Sequence, residues 1–461
     1  MTVPPSPSPS PSPSPSHSCD VAIVGGGMVG ASLALALAPT PLSIVMIEAA
    51  PPEPQPTVAD TDSGAGLGGA AGVDRIAQPP SFDDRTTALG NGARRIFQTL
   101  GVWDAIATQA APIREIHVSD AGRFGFARLR AEEHSLDAFG FTVSNRHLGR
   151  VLWQALRTRS RVQLLAPARV CKAELSAREA RLSITRGAPG SGPEESWTAR
   201  LVVAADGARS LIKQAADIPS STQEYGQVAV VAVVQTDAPA TGCAFERFTD
   251  TGPLALLPRF DRSYGVIWTL AAEAADAQLR SPPAEFCRQL QRRFGWRAGR
   301  ILSVSERASY PLSLVQARSS VGVRVALIGN AAQALHPVAA QGFNLGLRDA
   351  AVLAELICDA SDPGAPTLLQ QYAQQRAADR RGMIGFTDRL VRLFGHRSAL
   401  VGAARDLALL LFDVSPAAKQ ALSRLSWGFG PLPRLARGLA PAGRFAPAGN
   451  LAAPLGSAAD E

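Results

Sequence analysis

Hydrophobic and polar positions switch between two periods along the chain, and the switches mark its elements. Asp20 to Val24 is a short apolar run that predicts a buried strand. Met28 to Ala38 is an Ala- and Leu-rich stretch of helical length, and Leu42 to Glu48 predicts a second strand, so the chain opens as a βαβ unit. Order resumes at Asp83 to Leu89, followed by a helix through Ile96, Leu100 and Trp103. Ile113 to Ser119 and Phe139 to Ser144 read as strands around a polar hairpin, and Leu148 to Leu156 as a helix. Residues 161 to 203 alternate in strand fashion and run into Asp206 and Gly207. Gln227 to Thr236, Cys243 to Phe248, Gly252 to Pro258 and Tyr264 to Leu270 then follow as consecutive strands, the mark of an antiparallel sheet. A helix over Pro283 to Phe294 comes next, then an apolar strand over Val323 to Ile328. The helix opened by Gln341 and Gly342 and two more, over Ser361 to Arg376 and Met383 to Phe394, complete the pattern.

Two segments have no apolar face to bury. Pro4 to Ser16 is a Pro-Ser alternation that predicts an extended, disordered tail. Pro51 to Pro80 is rich in Pro, Gly, Ala and Asp and predicts a long insertion with little structure of its own. The remaining length, out of 461 residues, suffices for two or three domains around a large core. The formal charge of +7 comes from scattered arginines without interleaved aromatics, which argues against nucleic acid as a partner. Five widely spaced cysteines with no Cys-x-x-Cys argue against a disulfide framework or a metal site and for a reducing compartment. No signal peptide and no apolar run long enough to span a bilayer is visible, so a soluble or peripheral protein is expected.

Candidate chemistry begins with glycine. Gly25 to Gly30 fits G-x-G-x-x-G between a strand and a helix, with Glu48 at the end of the next strand. In that pattern Gly25 permits the tight turn, Gly27 admits a pyrophosphate to the backbone beside Met28 and Val29, and Gly30 lets helix pack on strand. The Glu48 carboxylate suits ribose hydroxyls. A second glycine turn, far downstream, says what the first is for. Gly329 and Asn330 close an apolar strand, His336 and Pro337 lead a small-residue loop, and Gln341, Gly342, Phe343 and Asn344 open a helix. The first N–H groups of a helix have no partner within it and accept anions or dipoles. NAD does not need such a second site, whereas a longer cofactor ending in a redox ring does, which points to FAD. Asn330 can hydrogen-bond a sugar-alcohol chain, and the N–H groups near Gly342 to Asn344 can face the electron-rich edge of a flavin. Asp206 and Gly207 fit the same scheme, and equally a plain strand-to-helix turn.

These three elements in order resemble the aromatic-hydroxylating flavin monooxygenases, and more closely the ubiquinone-biosynthesis hydroxylases among them. Asp83 to Leu89 followed by Leu100 to Trp103 resembles that family's second motif, and Ile116 to Gly125 is similar to the segment typical of 2-polyprenyl-6-methoxyphenol hydroxylases. The resemblance covers roughly Asp20 to Gly430. It implies an α/β fold: a discontinuous Rossmann-like FAD-binding domain (19–110, 140–212 and 320–395, with 51–80 inserted), an inserted antiparallel-sheet substrate domain (111–139 and 213–319), and C-terminal helices and tail (396–461) after a disordered tail (1–18). It further implies NAD(P)H as electron donor and O2 as co-substrate, although no second G-x-G-x-x-G exists to bind NAD(P)H and a protein donor stays open. A C4a-hydroperoxyflavin would hydroxylate the ring of a polyprenylated phenol on the path to ubiquinone. His336 would be a general base or a ring packed at a turn, and Arg85 would lie near flavin or substrate or form a surface salt bridge. Asn330, Gln333 and Ala340 depart from the family's usual Asp, His and Gly. They leave open a non-catalytic or weakly flavin-binding scaffold in a quinone-biosynthesis complex, as well as a hydroxylase acting at another ring position.

The C-terminal part raises one more expectation. Ile384 to Phe394 has apolar residues at helical spacing with Arg389 and Arg392 opposite, and Arg424, Arg434, Arg437 and Arg444 decorate a Pro- and Gly-rich tail. Either this is ordinary helix packing with a solvated tail, or it is a basic, apolar surface holding a cytoplasmic protein to the inner face of an anionic membrane.

Overall fold

The computed structural model describes residues 16–52, 83–187, 193–335, 341–395, 413, 415 and 431–440. The chain opens with β1 (Ser16–Val24), α1 (Met28–Leu37) and β2 (Ile44–Ile47). β1 starts at Ser16, ahead of the expected end of the tail; the rest of that tail and residues 53–82 of the insertion lie outside the described residues. Then come β3 (Thr86–Gly90), α2 (Asn91–Thr99), α3 (Trp103–Ala107), β4 (Ala111–Ile113), β5 (Glu115–Asp120), β6 (Phe126–Arg130) and β7 (Gly140–Ser144). After α4 (Asn145–Arg159) follow β8 (Gln163–Leu165), β9 (Ala168–Leu175), β10 (Ala180–Arg186) and β11 (Glu194–Ala204). A short α5 (Leu211–Ala215) leads to β12 (Ser220–Thr236), β13 (Cys243–Thr249), β14 (Gly252–Pro258) and β15 (Tyr264–Ala271). Helices α6 (Ala272–Arg280) and α7 (Pro283–Phe294) precede β16 (Ile301–Val304), β17 (Ala308–Ala317), β18 (Val321–Gly322), β19 (Val325–Leu327) and β20 (Gln333–Ala334). Two long helices, α8 (Gly342–Cys358) and α9 (Pro366–Gly395), finish the regular structure.

These strands form three sheets. The first is eight-stranded, with β19, β11, β1, β2 and β8 side by side and parallel, and β18, β9 and β10 added antiparallel. Val21, Ala22 and Ile23 at its centre are fully buried because both faces of a parallel sheet are covered. One face packs on α1, α4, α8 and α9, the other on α5 and the β9–β10 hairpin. The second sheet is nine-stranded and mainly antiparallel, in the order β20-β17-β12-β15-β14-β13-β5-β6 with β16 beside β12. Helices α6 and α7 cover one of its faces, α6 through Ala275 and α7 through Phe286, Leu290 and Phe294. β3, β7 and β4 make a small third sheet.

Two expectations about the C-terminal part are corrected. The helices expected over Ser361 to Arg376 and Met383 to Phe394 are one continuous α9. Residues 377–382 look polar because the face turned to α8 carries ions there: Arg376 and Asp379 are buried and pair with Asp349 and Arg348. A buried ion network mimics a solvent gap in the apolar pattern. The Arg434–Arg437 stretch is no solvated tail. Leu435 and Ala436 are buried in the core beneath α2 and α8, and the Arg434 N–H donates to Glu355 Oε2 at 3.0 Å.

Candidate functional site

Val24, Ala204 and Leu327 end β1, β11 and β19 in register, so the three turns that follow leave the first sheet side by side. Backbone hydrogen bonds continue the register into the turns: Gly25 N–H donates to Ile47 O at 2.8 Å, Ala205 N–H to Val24 O at 2.7 Å and Ile328 N–H to Ala204 O at 3.0 Å. Gly25 takes φ +104°, which a side chain would strain, and a Cβ there would run into Ala205 O. At Gly30 a Cβ would strike the Gly25 carbonyl, so α1 can start only where it does because Gly30 is bare. Gly26, between the first two fingerprint glycines, has its own reason: Trp153 of α4 is buried beneath it, and its Nε1–H donates to Gly26 O at 2.8 Å. The remote turn closes on the first. A Cβ at Gly346 would sit 2.8 Å from Gly329 Cα, and one at Gly329 would touch Val29 at 3.3 Å. The two glycine turns are therefore neighbours in space.

Between the first and second sheets lies a cavity of about 2250 Å³. Sites for single small molecules run to roughly 1,000 Å³, so this space has room for a dinucleotide and a substrate together. Gly25, Gly27, Met28, Val29, Glu48, Arg85, Asp206, Gly207, Gly329, Asn330, Gly342 and Phe343 all line it. Helices α1 and α8 both start at this cavity with no side-chain cap and no acid in the first turn. Their leading N–H groups are thus left for whatever fills the space. Glu48 accepts from Gly26 N–H at 2.6 Å and Ala50 N–H at 2.8 Å, and burial pushes its pKa up against those bonds. Asp206 Oδ2 caps α5 through Leu211 N–H at 2.9 Å, while its buried Oδ1 has no hydrogen-bond partner among the described residues. Burial raises the pKa of this carboxyl too. An orphaned acceptor and two open helix starts facing one space fit the ribose, pyrophosphate and ring edge of FAD.

The opposite wall is made of side chains. Arg85 Nε pairs with Asp83 Oδ2 at 2.6 Å and its guanidinium lies 4.2 Å over the Tyr310 ring, so it is at once a salt-bridge partner and a cavity residue. Tyr310 O–H donates to the same Asp83 oxygen at 3.1 Å, and Asn145 Nδ2 donates to Oδ1 at 3.0 Å. Arg146 holds Asp84 by two bonds of 2.7 and 2.8 Å. Arg259, at the end of β14, reaches Thr86 Oγ1 at 3.2 Å and lines the cavity. Sequence reasoning missed Tyr310 and Arg259. A lone arginine ending the apolar run Leu254 to Pro258 was the signal available for Arg259.

Some predicted residues stand behind the site. Gly30 and Gln341 do not line the cavity, and the Asn344 side chain is turned away, accepting from Gly90 N–H and donating to Ala88 O, both at 2.9 Å. It fixes the start of α8 against β3. Gln333 is buried and donates to Asp349 Oδ2 at 2.8 Å, the carboxylate that also accepts from Gly329 N–H at 3.3 Å. The departure at Gln333 therefore serves a donor's place under the Gly-Asn turn. His336, Pro337 and Ala340 lie outside the described residues.

Comparison with known proteins agrees with this geometry. Residues 73–387 match the family model described as an FAD binding domain. Ubiquinone hydroxylase UbiL of Rhodospirillum rubrum is 36% identical over 366 residues, 78% of this chain and 83% of its own. The 3-demethoxyubiquinol 3-hydroxylase of Escherichia coli is 30% identical over 74% of this chain and 88% of its own. Among solved structures, p-nitrophenol 4-monooxygenase PnpA from Pseudomonas putida DLL-E4 superposes with a TM-score of 0.70. That likeness, at 18% identity over 88% of this chain and 97% of PnpA, speaks to the fold.

Proposed function

The chain belongs to the ubiquinone-biosynthesis FAD hydroxylases and is a FAD-dependent aromatic hydroxylase, and from that premise we propose that it hydroxylates the ring of a polyprenylated phenol. The observation that carries the reading is the shared cavity, with two open helix starts on one wall and, on the other, an apolar sheet face edged by Arg85 and Arg259. Relatives named for ubiquinone hydroxylation support the substrate class. The leading N–H groups of α1 and α8, Glu48, Asp206 and Asn330 would hold FAD. When bound, FAD supplies the reduction of O2 and the transfer of one oxygen atom to the ring, with NAD(P)H as the electron source.

The chain's own residues bind, orient and exclude water. The Arg85–Tyr310–Asp83 cluster ties the segment before β3 to β17 of the second sheet and holds that wall together. Ala229, Val231, Val233 and Ile267 form an apolar sheet face that keeps water from the reacting ring. A prenyl chain lives in lipid, and among the described residues no helix is long and apolar enough to cross a membrane. We therefore place the protein at the cytoplasmic membrane surface, in contact with other quinone-biosynthesis proteins, where such a substrate is delivered.

Purified protein loaded with FAD, given NAD(P)H, air and a short-chain prenylphenol, tests the reading by mass spectrometry. A product heavier by one oxygen atom is expected. NAD(P)H oxidation that yields only hydrogen peroxide with every prenylphenol tried would contradict the substrate assignment. Flotation with anionic liposomes tests the membrane surface, with binding expected at low salt and none contradicting it.

A further inference from the structure

Arg259 follows directly on β14, where the chain turns back toward β15. Its backbone is fixed on both sides: its N–H donates to Ser263 O and its carbonyl accepts from Arg262 N–H, both at 3.0 Å. Register defines where the side chain points. Leu257 lies opposite Gly265 of β15, and Gly265 opposite Val233 of β12. Directly opposed residues share a face of a pleated sheet, and Arg259 comes two residues after Leu257. It therefore stands on the face that Val233 and Gly265 present to the cavity, and it lines that cavity itself. The third sheet braces the corner. Thr142 Oγ1–H donates to Pro258 O, and bare Gly265 lets Thr86 approach, since a Cβ there would sit 2.6 Å from Thr86 Oγ1.

The other cavity arginines are engaged or exposed. Arg85 pairs with Asp83, Arg146 holds Asp84, and Arg307 donates to Gln278 O at 2.7 Å and Ser281 Oγ at 3.0 Å. Arg169 and Arg209 are exposed. Arg259 is different: its side chain is 13% exposed and loosely held. Nη1 donates to Thr86 Oγ1 at 3.2 Å and to Asp84 O at 3.4 Å, and Nη2 donates to no described residue. Nε is buried with no hydrogen-bond partner among the described residues, and its ion pair with Asp261 Oδ1, a side chain 37% exposed, spans 3.6 Å. A largely buried cation with donors to spare is costly unless an anion completes it.

We propose that Arg259 is a catalytic residue whose guanidinium binds the phenolic oxygen of the substrate and holds it as the phenolate, the form richest in electrons for oxygen transfer. The proposal rests on the aromatic-hydroxylase reading above. As the ring enters, the phenol O–H bond breaks and its proton passes to water; no electron changes hands, and water returns a proton to the product's oxygen on release. The place suits the step. Thr86, which Arg259 holds, and Ala88 alternate on β3 and both line the cavity, roughly 7 Å apart along the strand. Ala88 O accepts from Asn344 in the first turn of α8, the helix start that would face the flavin ring. The guanidinium stays charged throughout the working pH range, and beside the aliphatic row of Val231, Val233 and Ile267 its attraction for an anion exceeds that at a surface.

The test compares FAD-loaded, full-length wild type with Arg259→Gln and Arg259→Lys. A nitrophenol, whose ionised form absorbs visible light, reports the protonation state of a bound phenol when no NAD(P)H is present. Bound to wild type it should ionise about one pH unit or more below free nitrophenol, an opposite charge nearby favouring the ionised form. Bound to R259Q it should ionise at or above the free value, with R259K, which keeps the charge, between the two. Hydroxylation by R259Q at neutral pH should drop about 100-fold in kcat, the range for loss of one charge-stabilising donor, and should recover as rising pH ionises the phenol unaided. All three proteins should keep their flavin through gel filtration. Nitrophenol that fails to bind wild type, or ionises there no more readily than when free, would overturn the proposal whatever the variants do. Equal ionisation in wild type and R259Q would overturn it too, as would loss of flavin from R259Q, which assigns the arginine to the cofactor. If wild type hydroxylates no prenylphenol, the substrate reading falls, and the nitrophenol spectrum still decides the role of Arg259.

Discussion

On the first-sheet side the cavity is bounded by backbone: bare glycines, three strand ends in register and two helix starts with open N–H groups. On the second-sheet side it is bounded by side chains drawn from distant strands, with Arg85 stacked on Tyr310, Arg259 donating to Thr86 Oγ1, and Ala229, Val231, Val233 and Ile267 in an apolar row. The backbone wall suits a cofactor that every member of such a family shares. The side-chain wall can be rewritten without disturbing the first, and it is where substrate choice is made. The difference implies that damage to one wall should cost flavin and damage to the other should cost turnover.

Variants ordered by expected effect sharpen that division. Gly30→Ala drives a methyl group into the Gly25 carbonyl, and the strain of roughly 3 kcal/mol should weaken FAD binding by about 100-fold. Fluorescence titration of the apoprotein checks it, and unchanged affinity would break the backbone account. Arg376→Met strips a partner from fully buried Asp349 and Asp379 and should lower stability by about 3–5 kcal/mol in denaturant melts. Because Asp349 also accepts from Gly329 N–H, flavin retention should suffer with it. Tyr310→Phe removes the hydroxyl bond to Asp83, worth about 1 kcal/mol, and should raise KM or lower coupling while the protein stays yellow. Loss of flavin instead would blur the two walls into one.

The smallest effect concerns pH. The Arg146 guanidinium bonded to Asp84 holds that carboxyl below its ordinary value of 3.8. A lowered carboxyl stabilises the fold above its unfolded pKa and loses that contribution as pH falls through the folded one. Arg146→Met should thus cost at neutral pH no more than about 1 kcal/mol, since Asp84 is exposed, and the gap to wild type should close in acid below 3.8. A gap that persisted unchanged in acid would mean that the pair is not its source.

The division also explains what the sequence made legible. The first glycine turn was readable because Gly25 and Gly30 are demanded by contacts within a few residues or by the adjoining strand, and such demands leave a spacing behind. The four strands from β12 to β15 were readable from alternation, as was α7 from its proline start and the glycine after its end. Tyr310 was not, for its partner Asp83 stands 227 positions away in order, and only the fold brings them together. α9 was broken in two because Arg376, Asp379 and Arg380 face inward against Arg348 and Asp349, where a pattern of polarity expects solvent. Arg434 to Arg437 looked like a free basic tail for the same reason: the burial of Leu435 and Ala436 depends on α2 and α8, far away in order.

A crystal structure of the protein grown with FAD tests the central claim most directly. One FAD molecule should touch the N–H groups of the Gly25–Gly30 turn at its pyrophosphate and the Gly329–Asn330 and Gly342–Phe343 segments toward its ring. A flavin bound at one glycine turn only, with its ring outside the cavity between the two sheets, would contradict the account.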